Sequence, residues 1–241
     1  MIKAILWDID NTLLSFQASE RAAIKRCFEI FSLGECTDEM VREYDAINDR
    51  YWNLLEAGEM TKPEILVGRF REFFSNHGLD VSVAEAFNDE YQFRLSDEIV
   101  FCDGAPDVLL QLKGRYIQCA ASNGTKVSQT LKLKKSGLDQ ILDRIYISED
   151  VGFEKPRREY FDAVLADLSP VKPREVLMVG DSLTSDMRGS FDYGLVTCWY
   201  NPGGTVNGTG MEFDHVISHL SEVPEILEQY RSSQEEEEQV I

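Results

Sequence analysis

Short apolar runs rich in valine, isoleucine and leucine recur along the chain, and they restrict its fold more than any other feature. From about residue 115 onward they are separated by stretches of helical pattern, the rhythm of strand–helix–strand units that build a parallel sheet. The predicted strands are Ala4–Trp7, Tyr116–Ala121, Ile145–Ile147, Val176–Val179, Leu195–Tyr200 and, more weakly, His215–Ile217. The predicted helices are Val127–Ser136, Arg157–Leu168, Asp186–Tyr193 and Val223–Tyr230. The alternation predicts the α/β fold class.

The interval between the first two predicted strands is far longer than one crossover needs. Residues 17–96 contain no convincing strand and carry apolar residues at helical spacing, with Gly34, Gly58 and Gly78 where helices would stop. We therefore expect a Rossmann-like core, residues 1–15 and 97–231, with an all-helical module inserted at residues 16–96. Residues 232–241 are expected to form an acidic, disordered tail.

The chain is strongly acidic, with 43 Asp and Glu residues against 24 Lys and Arg residues and a net charge of −19. This balance disfavours a nucleic-acid partner, because affinity for a polyanion depends on neutralising phosphates. A small anionic substrate remains compatible, since it needs only one local positive pocket.

Cysteine usage and hydropathy favour a cytoplasmic protein. The five cysteines are odd in number and include no C-x-x-C pair, which is typical of a reducing compartment. We expect no membrane-spanning segment and no signal peptide, since no apolar run has the necessary length. With only three histidines, enzymes that rely on a catalytic histidine or on His-bound zinc are less expected.

Polar residues follow the predicted strands, whose carboxyl ends meet at one edge of a parallel sheet, where ligands bind. They are Asp8, Asp10, Asn11 and Thr12 after the first strand, Ser122-Asn123-Gly124 after the second, Lys155-Pro156 in the loop beyond the third, and Gly180, Asp181 and Asp186 after the fourth. The carboxylates suit Mg²⁺, which prefers oxygen ligands. The hydroxyl, amide and ammonium groups suit a phosphoryl group.

This inventory is consistent with phosphoryl transfer through a covalent intermediate. A carboxylate can attack phosphorus when a metal screens its charge, and a second carboxyl can protonate the leaving oxygen and later activate water. Asp8 and Asp10, two residues apart on an extended backbone, point the same way and meet this requirement. Asp181 would be a metal ligand and Lys155 would neutralise the transferring group. Asp and Asn are also common in turns, so Asp10-Asn11 is equally consistent with a turn that ends the strand.

Four segments resemble, in order, the four motifs of the haloacid dehalogenase-like (HAD) phosphatases. They are Asp8-x-Asp10-x-Thr12, Ser122-Asn123-Gly124, Lys155-Pro156 and Gly180-Asp181-x(4)-Asp186. Any one of these segments arises often by chance, whereas four in order, each after a predicted strand, are specific. The resemblance implies that the inserted helical module is the cap found in that family.

The resemblance also implies a role for each motif residue. Asp8 would be the nucleophile, and Asp10 the general acid and base, with its backbone carbonyl touching Mg²⁺. Thr12, Ser122, Asn123, Gly124 and Lys155 would bind the phosphoryl group, and Thr12 and Ser122 would orient it. The remaining roles are charge stabilisation by Lys155, metal binding by Asp8, Asp10 and Asp181, and support of Lys155 and the metal by Asp186. Because the dehalogenase and phosphonate-cleaving branches lack an acid at the position of Asp10, the resemblance implies a phosphatase.

A narrower resemblance is to the pyrimidine 5′-nucleotidase branch of the family. It is carried by Ile147–Pro156, Leu177–Ser182 and Gly194–Asn201, and in the helical module by Tyr51-Trp52, Gly58–Thr61 and Gly68–Phe70. The implied substrates are nucleoside 5′-monophosphates, with pyrimidine preferred. Phe16, Gln17 and Trp52 are candidates for contacting the base, although ordinary packing between helices is an alternative for Trp52.

Three other functions are compatible with parts of the pattern. A phosphatase of sugar phosphates or of another small metabolite would use the same motifs. A phospho-accepting signalling protein would also use carboxylates and a Lys-Pro pair, but it would need no inserted module and no acid placed like Asp10. Gly180-Asp-Ser-Leu183 spells a serine esterase motif, yet Asp214-His215 has the wrong spacing for its partner residues.

Lys132, Lys134 and Lys135 are expected to form a solvated helix face.

Overall fold

Six short strands form one parallel sheet in the computed structural model, which describes the backbone of residues 1–239 and the side chains of residues 1–232. The strands are β1 (Ala4–Trp7), β2 (Ile117–Ser122), β3 (Arg144–Ile147), β4 (Val176–Gly180), β5 (Val196–Tyr200) and β6 (His215–Ile217). Their order across the sheet is β3-β2-β1-β4-β5-β6, and all neighbours are parallel. The predicted α/β fold with a Rossmann-like parallel sheet is confirmed.

Burial explains why some strands are clearer in the sequence than others. Every residue of β1, β4 and β5 is buried, so these strands are covered on both faces and read as continuous apolar runs. The two edge strands are more exposed, with two exposed residues in β3 and a single buried one in β6. A partly exposed edge strand needs fewer apolar residues, which accounts for the weak signal of β6 in the sequence.

The chain divides into two compact units. The sheet unit contains Met1–Ser15, Phe101–Lys126 and the chain from Leu133 onward, and the helical unit contains Phe16–Val100 and Val127–Lys132. The sequence-based division at residues 15/16 and 96/97 stays a prediction, as does the disordered tail of residues 232–241. Residues 240–241 of that tail lie outside the described residues.

The helical unit is built on four helices, as the apolar periodicity of residues 17–96 predicts. They are α1 (Phe16–Ile30), α2 (Asp38–Glu56), α3 (Lys62–Asn76) and α4 (Ala84–Arg94). The three glycines expected to stop helices, Gly34, Gly58 and Gly78, all have positive φ angles, of 91°, 74° and 64°. Glycine adopts this left-handed conformation without a Cβ penalty, so the chain can turn sharply after each helix.

An aromatic cluster forms the interior of the helical unit. Phe70 is fully buried, and its ring centroid lies 4.9 Å from those of Tyr44 and Phe87 and 5.1 Å from that of Tyr91. These rings come from α2, α3 and α4, so they join three helices through stacked and edge-on contacts. The helical unit therefore has its own hydrophobic core.

Six further α-helices lie in the described part of the chain. They are α5 (Ala105–Leu112), α6 (Lys126–Ser136), α7 (Ser148–Val151), α8 (Arg158–Asp167), α9 (Arg188–Tyr193) and α10 (Val223–Gln239). Helix α8 packs against the sheet through Tyr160, Phe161 and Val164, as its apolar face predicts. In α6, Lys126 belongs to the sheet unit and Val127–Lys132 to the helical unit.

Two details differ from the sequence-based expectations. Helix α5 was not predicted, although Ala105, Val108, Leu109 and Leu112 are buried at helical spacing. The predicted helix Asp186–Tyr193 is preceded by and partly replaced by a wide π-helical turn, Leu183–Met187, before α9 begins. The Ser182 side chain accepts a hydrogen bond from the Ser185 backbone and so caps this turn.

The expectation that Lys132 lies on a solvated helix face is wrong. Its side chain is fully buried, and its ammonium group lies 4.9 Å from the ring centroid of Phe16, whereas Lys134 and Lys135 are exposed. An aromatic face attracts a buried cation, which offsets part of the cost of removing the lysine from water.

A buried polar network lies inside the helical unit. The guanidinium of Arg69 donates to Asn48 Oδ1 at 2.5 Å and stands over the rings of Phe70 and Tyr91. The Tyr91 hydroxyl donates to Glu20 Oε1 at 3.1 Å. Burial raises the pKa of Glu20 well above its usual value, and the neighbouring carboxyl of Asp45 raises it further.

No helix among the described residues is both long and apolar enough to cross a membrane.

Replacing Glu20 by glutamine is expected to stabilise the protein more at pH 8 than at pH 5. The folded protein retains a proton on Glu20 that the unfolded chain releases above about pH 4.3, so wild-type stability falls as the pH rises toward the folded pKa. Glutamine removes this fall and still accepts from Tyr91. The measurement is urea unfolding of both proteins at the two pH values.

The control is Glu59→Gln, which changes an exposed carboxylate in the turn after α2. Its effect on the free energy of unfolding is expected to be similar at pH 5 and pH 8. An equal effect of Glu20→Gln at both pH values would contradict the buried, protonated state of Glu20.

Candidate active site

Asp8 and Asp181 stand at the carboxyl ends of the two strands at the centre of the sheet. Asp8 directly follows β1, and its backbone N–H donates to the Val179 carbonyl of β4 at 2.9 Å, which continues the strand pairing. Asp181 directly follows Gly180, the last residue of β4. The sheet therefore fixes the backbone of both acids, and the parallel order places them on one edge, as the sequence predicts.

Three carboxylates meet at this edge. One oxygen from each of Asp8, Asp181 and Asp186 lies within 4.8 Å of the other two. Burial raises the pKa of Asp8 to about 7, and the charge of Asp186 adds to the effect. Burial and the charge of Asp8 hold the pKa of Asp181 well above its usual value. So many crowded carboxyl groups call for a nearby cation, and oxygen ligands in this arrangement fit Mg²⁺.

Lys155 supplies one positive charge to this cluster. Its ammonium donates to Asp186 Oδ1 at 2.6 Å, to Asp8 Oδ1 at 2.9 Å and to the Ala121 carbonyl at 2.5 Å, and its side chain is only 1% exposed. Burial alone would lower the pKa of Lys155, but the carboxylates of Asp186 and Asp8 outweigh it and raise the pKa. Lys155 therefore stays charged and forms ion pairs with both acids.

The Asp186 side chain lies so close to the backbone of Gly180 that only glycine fits at position 180. A Cβ atom added to Gly180 would lie 2.3 Å from Asp186 Oδ2. The same oxygen accepts a hydrogen bond from the Ser182 backbone at 3.2 Å. The glycine of this motif is thus needed to admit the carboxylate that pairs with Lys155. The sequence assigned Asp186 a supporting role, and the structure places it in direct contact with Lys155.

The hydroxyl of Thr12 is available to an anion. Thr12 is fully buried in the turn after β1, and its Oγ1 has no hydrogen-bond partner among the described residues. A buried hydroxyl without a partner is costly, so a ligand oxygen at this position would satisfy it. Asp10, at the start of the same turn, is half-buried and bridges to Leu14.

Ser122 ends β2, which lies next to β1 in the sheet, and Asn123 and Gly124 begin the loop that follows. Ser122 is buried, and its Oγ accepts a hydrogen bond from the Gly124 N–H at 3.0 Å. The Asn123 side chain makes two hydrogen bonds, both to the backbone of Lys155. The Asn123 contact is a feature that the sequence did not predict.

The three candidate base-contacting residues lie in the helical unit. Phe16 begins α1 and is half-buried, Gln17 is exposed, and Trp52 is half-buried on α2. Their contact with a base stays a prediction.

The residues of the serine esterase pattern have other partners. The Asp214 carboxylate accepts hydrogen bonds from Arg174 and Thr197, and His215 Nε2 lies 2.9 Å from the Tyr230 hydroxyl. Asp214 and His215 therefore have partners other than Ser182, in agreement with the sequence argument against this class.

Comparison with known proteins gives a family match over most of the chain. The model of the haloacid dehalogenase-like hydrolases matches residues 2–190, which include all four motifs. The chain is 33% identical to the HAD-hydrolase YfnB of Bacillus subtilis over 225 residues, covering 93% of this chain and 95% of that protein.

Two further relatives carry a named activity. The pyrimidine 5′-nucleotidase PynA of Streptococcus pneumoniae is 32% identical, over 86% of this chain and 87% of its own length. The pyrimidine 5′-nucleotidase YjjG of Escherichia coli is 29% identical, over 92% of this chain and 96% of its own length. More distant relatives include a glyceraldehyde 3-phosphate phosphatase of Pyrococcus furiosus.

Solved structures agree with the observed fold. The crystal structure of YfnB bound to magnesium superposes with a TM-score of 0.87 at 32% identity, covering 94% of this chain and 98% of that one. The L-2-haloacid dehalogenase of Xanthobacter autotrophicus gives a TM-score of 0.71 at 18% identity, which shows a shared fold alone.

Removing one acid of the cluster is expected to change metal binding and stability in opposite directions. Mg²⁺ should raise the melting temperature of the wild type, with a stabilisation of about 2.7 kcal/mol at one hundred times the Kd. Asp181→Asn should lose most of this rise, yet be more stable than the wild type without metal, because fewer buried carboxylates repel one another. Thermal unfolding with Mg²⁺ and with EDTA measures both effects.

Asp89→Asn, which changes an exposed acid on α4, is the matched control and should respond to Mg²⁺ like the wild type. An undiminished Mg²⁺ response of Asp181→Asn would rule out Asp181 as a ligand.

Proposed function

The chain belongs to the haloacid dehalogenase-like hydrolases, and on that premise we propose that it is a Mg²⁺-dependent phosphomonoesterase acting on nucleoside 5′-monophosphates, with pyrimidine preferred. The observation that carries the proposal is the contact of the Asp8 carboxylate with the buried ammonium of Lys155, beside Asp181 and Asp186. A nucleophilic carboxylate and a fixed positive charge at the end of a central strand are what the transfer of a phosphoryl group requires.

In the proposed reaction Asp8 attacks and Asp10 moves the proton. An oxygen of Asp8 bonds to phosphorus while the ester P–O bond breaks, and Asp10 protonates the departing oxygen. Asp10 then removes a proton from water, whose oxygen bonds to phosphorus as the bond to Asp8 breaks. The products are the alcohol, inorganic phosphate and free Asp8. Asp8, Asp181 and the backbone carbonyl of Asp10 would hold Mg²⁺, which would screen the charge of the nucleophile from that of the phosphoryl oxygens.

The remaining site residues would bind the phosphoryl oxygens. The unpartnered Thr12 hydroxyl is free to donate to one of them. Lys155 would neutralise charge that builds up during transfer, since its ammonium is already fixed beside Asp8. Ser122, at the end of β2, and Gly124, in the loop after it, are proposed to contact the phosphoryl group.

The relatives support a nucleotide as the substrate class. PynA and YjjG are pyrimidine 5′-nucleotidases, and each matches more than four fifths of this chain. A phosphatase of sugar phosphates is the alternative within the same chemistry, in line with the glyceraldehyde 3-phosphate phosphatase relative. We also propose a cytoplasmic location, which the five free cysteines support.

The test is phosphate release from a panel of nucleotides and sugar phosphates, with Mg²⁺ and with EDTA. We expect UMP and dUMP to be the best substrates and EDTA to abolish release. Asp8→Asn should lower kcat by about 10⁴-fold or more, because it removes the nucleophile. Asp107→Asn, an exposed acid on α5, is the control and should retain wild-type turnover.

Three other results would each contradict a different part of the proposal. A panel that favours hexose phosphates over UMP would replace the substrate class and leave the mechanism in place. Appreciable hydrolysis by Asp8→Asn would remove Asp8 from the role of nucleophile. A phosphorylated protein that decays over minutes, without turnover, would indicate a phospho-accepting signalling protein.

A further inference from the structure

The Asn123 side chain holds the backbone of Lys155 at two points. Asn123 Nδ2 donates to the Lys155 carbonyl oxygen, and Asn123 Oδ1 accepts from the Lys155 N–H, both at 2.8 Å. The two residues are 32 positions apart in the chain, so this pair of bonds is a tertiary contact. Both belong to the sheet unit.

The amide group is the chemical group that this contact needs. A peptide presents one donor and one acceptor, and a primary amide presents a matching acceptor and donor on one side chain. A carboxylate would offer two acceptors and would leave the Lys155 carbonyl facing a negative oxygen. A serine hydroxyl is too short to reach the N–H and the carbonyl oxygen of Lys155 together. Asparagine at this position is therefore explained by its contact with Lys155.

Lys155 needs such support because no helix or strand holds it. It lies between α7, which ends at Val151, and α8, which begins at Arg158. A lysine side chain also loses much rotamer entropy when it is fixed. The ammonium is nevertheless held by three acceptors, one of which is the Ala121 carbonyl at the end of β2.

The two ends of Lys155 are thus attached to the same short segment of chain. The ammonium donates to the carbonyl of Ala121, and the backbone bonds to the side chain of Asn123, two residues further on. The distance that the lysine must span is set by the end of β2. This arrangement directs the ammonium to Asp8, which follows the neighbouring strand β1.

We infer that Asn123 is a positioning residue, which acts on the reaction through Lys155 and does not bind the phosphoryl group. The inference rests on the proposed function in one respect, namely that Lys155 stabilises charge during transfer. Without the two bonds from Asn123, the backbone of Lys155 can shift and its ammonium can leave Asp8. A displacement of about 1 Å at a catalytic group can lower the rate by about 10²-fold.

The test is a double-mutant cycle that combines Asn123→Ala with Lys155→Met. Alone, Asn123→Ala should lower kcat by about 10–100-fold, and it should weaken inhibition by inorganic phosphate no more than Lys155→Met does. In the Lys155→Met background it should change kcat little, because the group that it positions is absent. Ser148→Ala is the control, since it removes a weak donor to the Asn123 backbone at 3.3 Å and leaves the side-chain amide in place.

A phosphate-binding role gives a different pattern. Asn123→Ala would then weaken inhibition by inorganic phosphate in both backgrounds and lower kcat/KM by the same factor with or without Lys155. That result would overturn the inference. The melting temperature provides a structural readout, and Asn123→Ala should lower it equally in both backgrounds, because Lys155→Met keeps the backbone groups that Asn123 contacts.

Chemical labelling tests the contact without relying on enzyme activity. Lys155 should react with acetic anhydride faster in Asn123→Ala than in the wild type or in Ser148→Ala, as measured by mass spectrometry of the peptide that contains it. Equal labelling in all three proteins would overturn the inference. Asn123→Asp keeps an acceptor for the Lys155 N–H but sets a negative oxygen against the Lys155 carbonyl, so Lys155 should again label faster than in the wild type. This variant replaces Asn123→Ala if Asn123→Ala does not fold.

The kinetic cycle and the labelling experiment together distinguish failure of the inference from failure of the proposed function. If the wild type releases no phosphate from any ester, the proposed function fails while labelling still tests the contact. If the wild type is active and Asn123→Ala matches it in kcat and in labelling, the inference alone fails.

Discussion

The contact of Lys155 with Asp8 and Asp186 is the interaction on which the rest of the site depends. Burying any one of these charged groups without a partner would cost several kcal/mol. Lys155 and the two acids therefore stay ionised only because they pair with one another. When all four groups are ionised, three carboxylates and one ammonium carry a net charge of two negative units. One divalent cation would balance this charge. The composition of the cluster therefore accounts for its fit to Mg²⁺.

The sheet and the loops divide the work of building this cluster. Strand pairing fixes Asp8 and Asp181 through the backbone, because both directly follow central strands that are buried along their whole length. Gly180 admits Asp186, and Asn123 holds Lys155, which lies on a loop that no strand supports. The loop groups thus depend on single side chains, and we expect point substitutions there to affect the site most sharply.

The sequence predicted the sheet for reasons that the structure makes clear, while the roles of the site residues stay predictions. Strands buried on both faces leave continuous apolar runs, and the residues that follow them meet at one edge by the geometry of a parallel sheet. The prediction was wrong for Lys132, because a lysine on an amphipathic helix pattern gives no sign that an aromatic ring, here Phe16, lies over its ammonium. The Asn123 contact was not predictable, since it joins a side chain to backbone groups that carry no sequence signal.

The most direct test of this account is to look for a phosphoryl group on Asp8 during turnover. Wild-type protein would be mixed with phosphorus-32-labelled UMP and Mg²⁺, quenched with acid within milliseconds and digested for mass spectrometry. The account predicts an acid-stable, hydroxylamine-sensitive label on the peptide that contains Asp8. Rapid phosphate release by the wild type with no label on Asp8, or with the label on another residue, would contradict it.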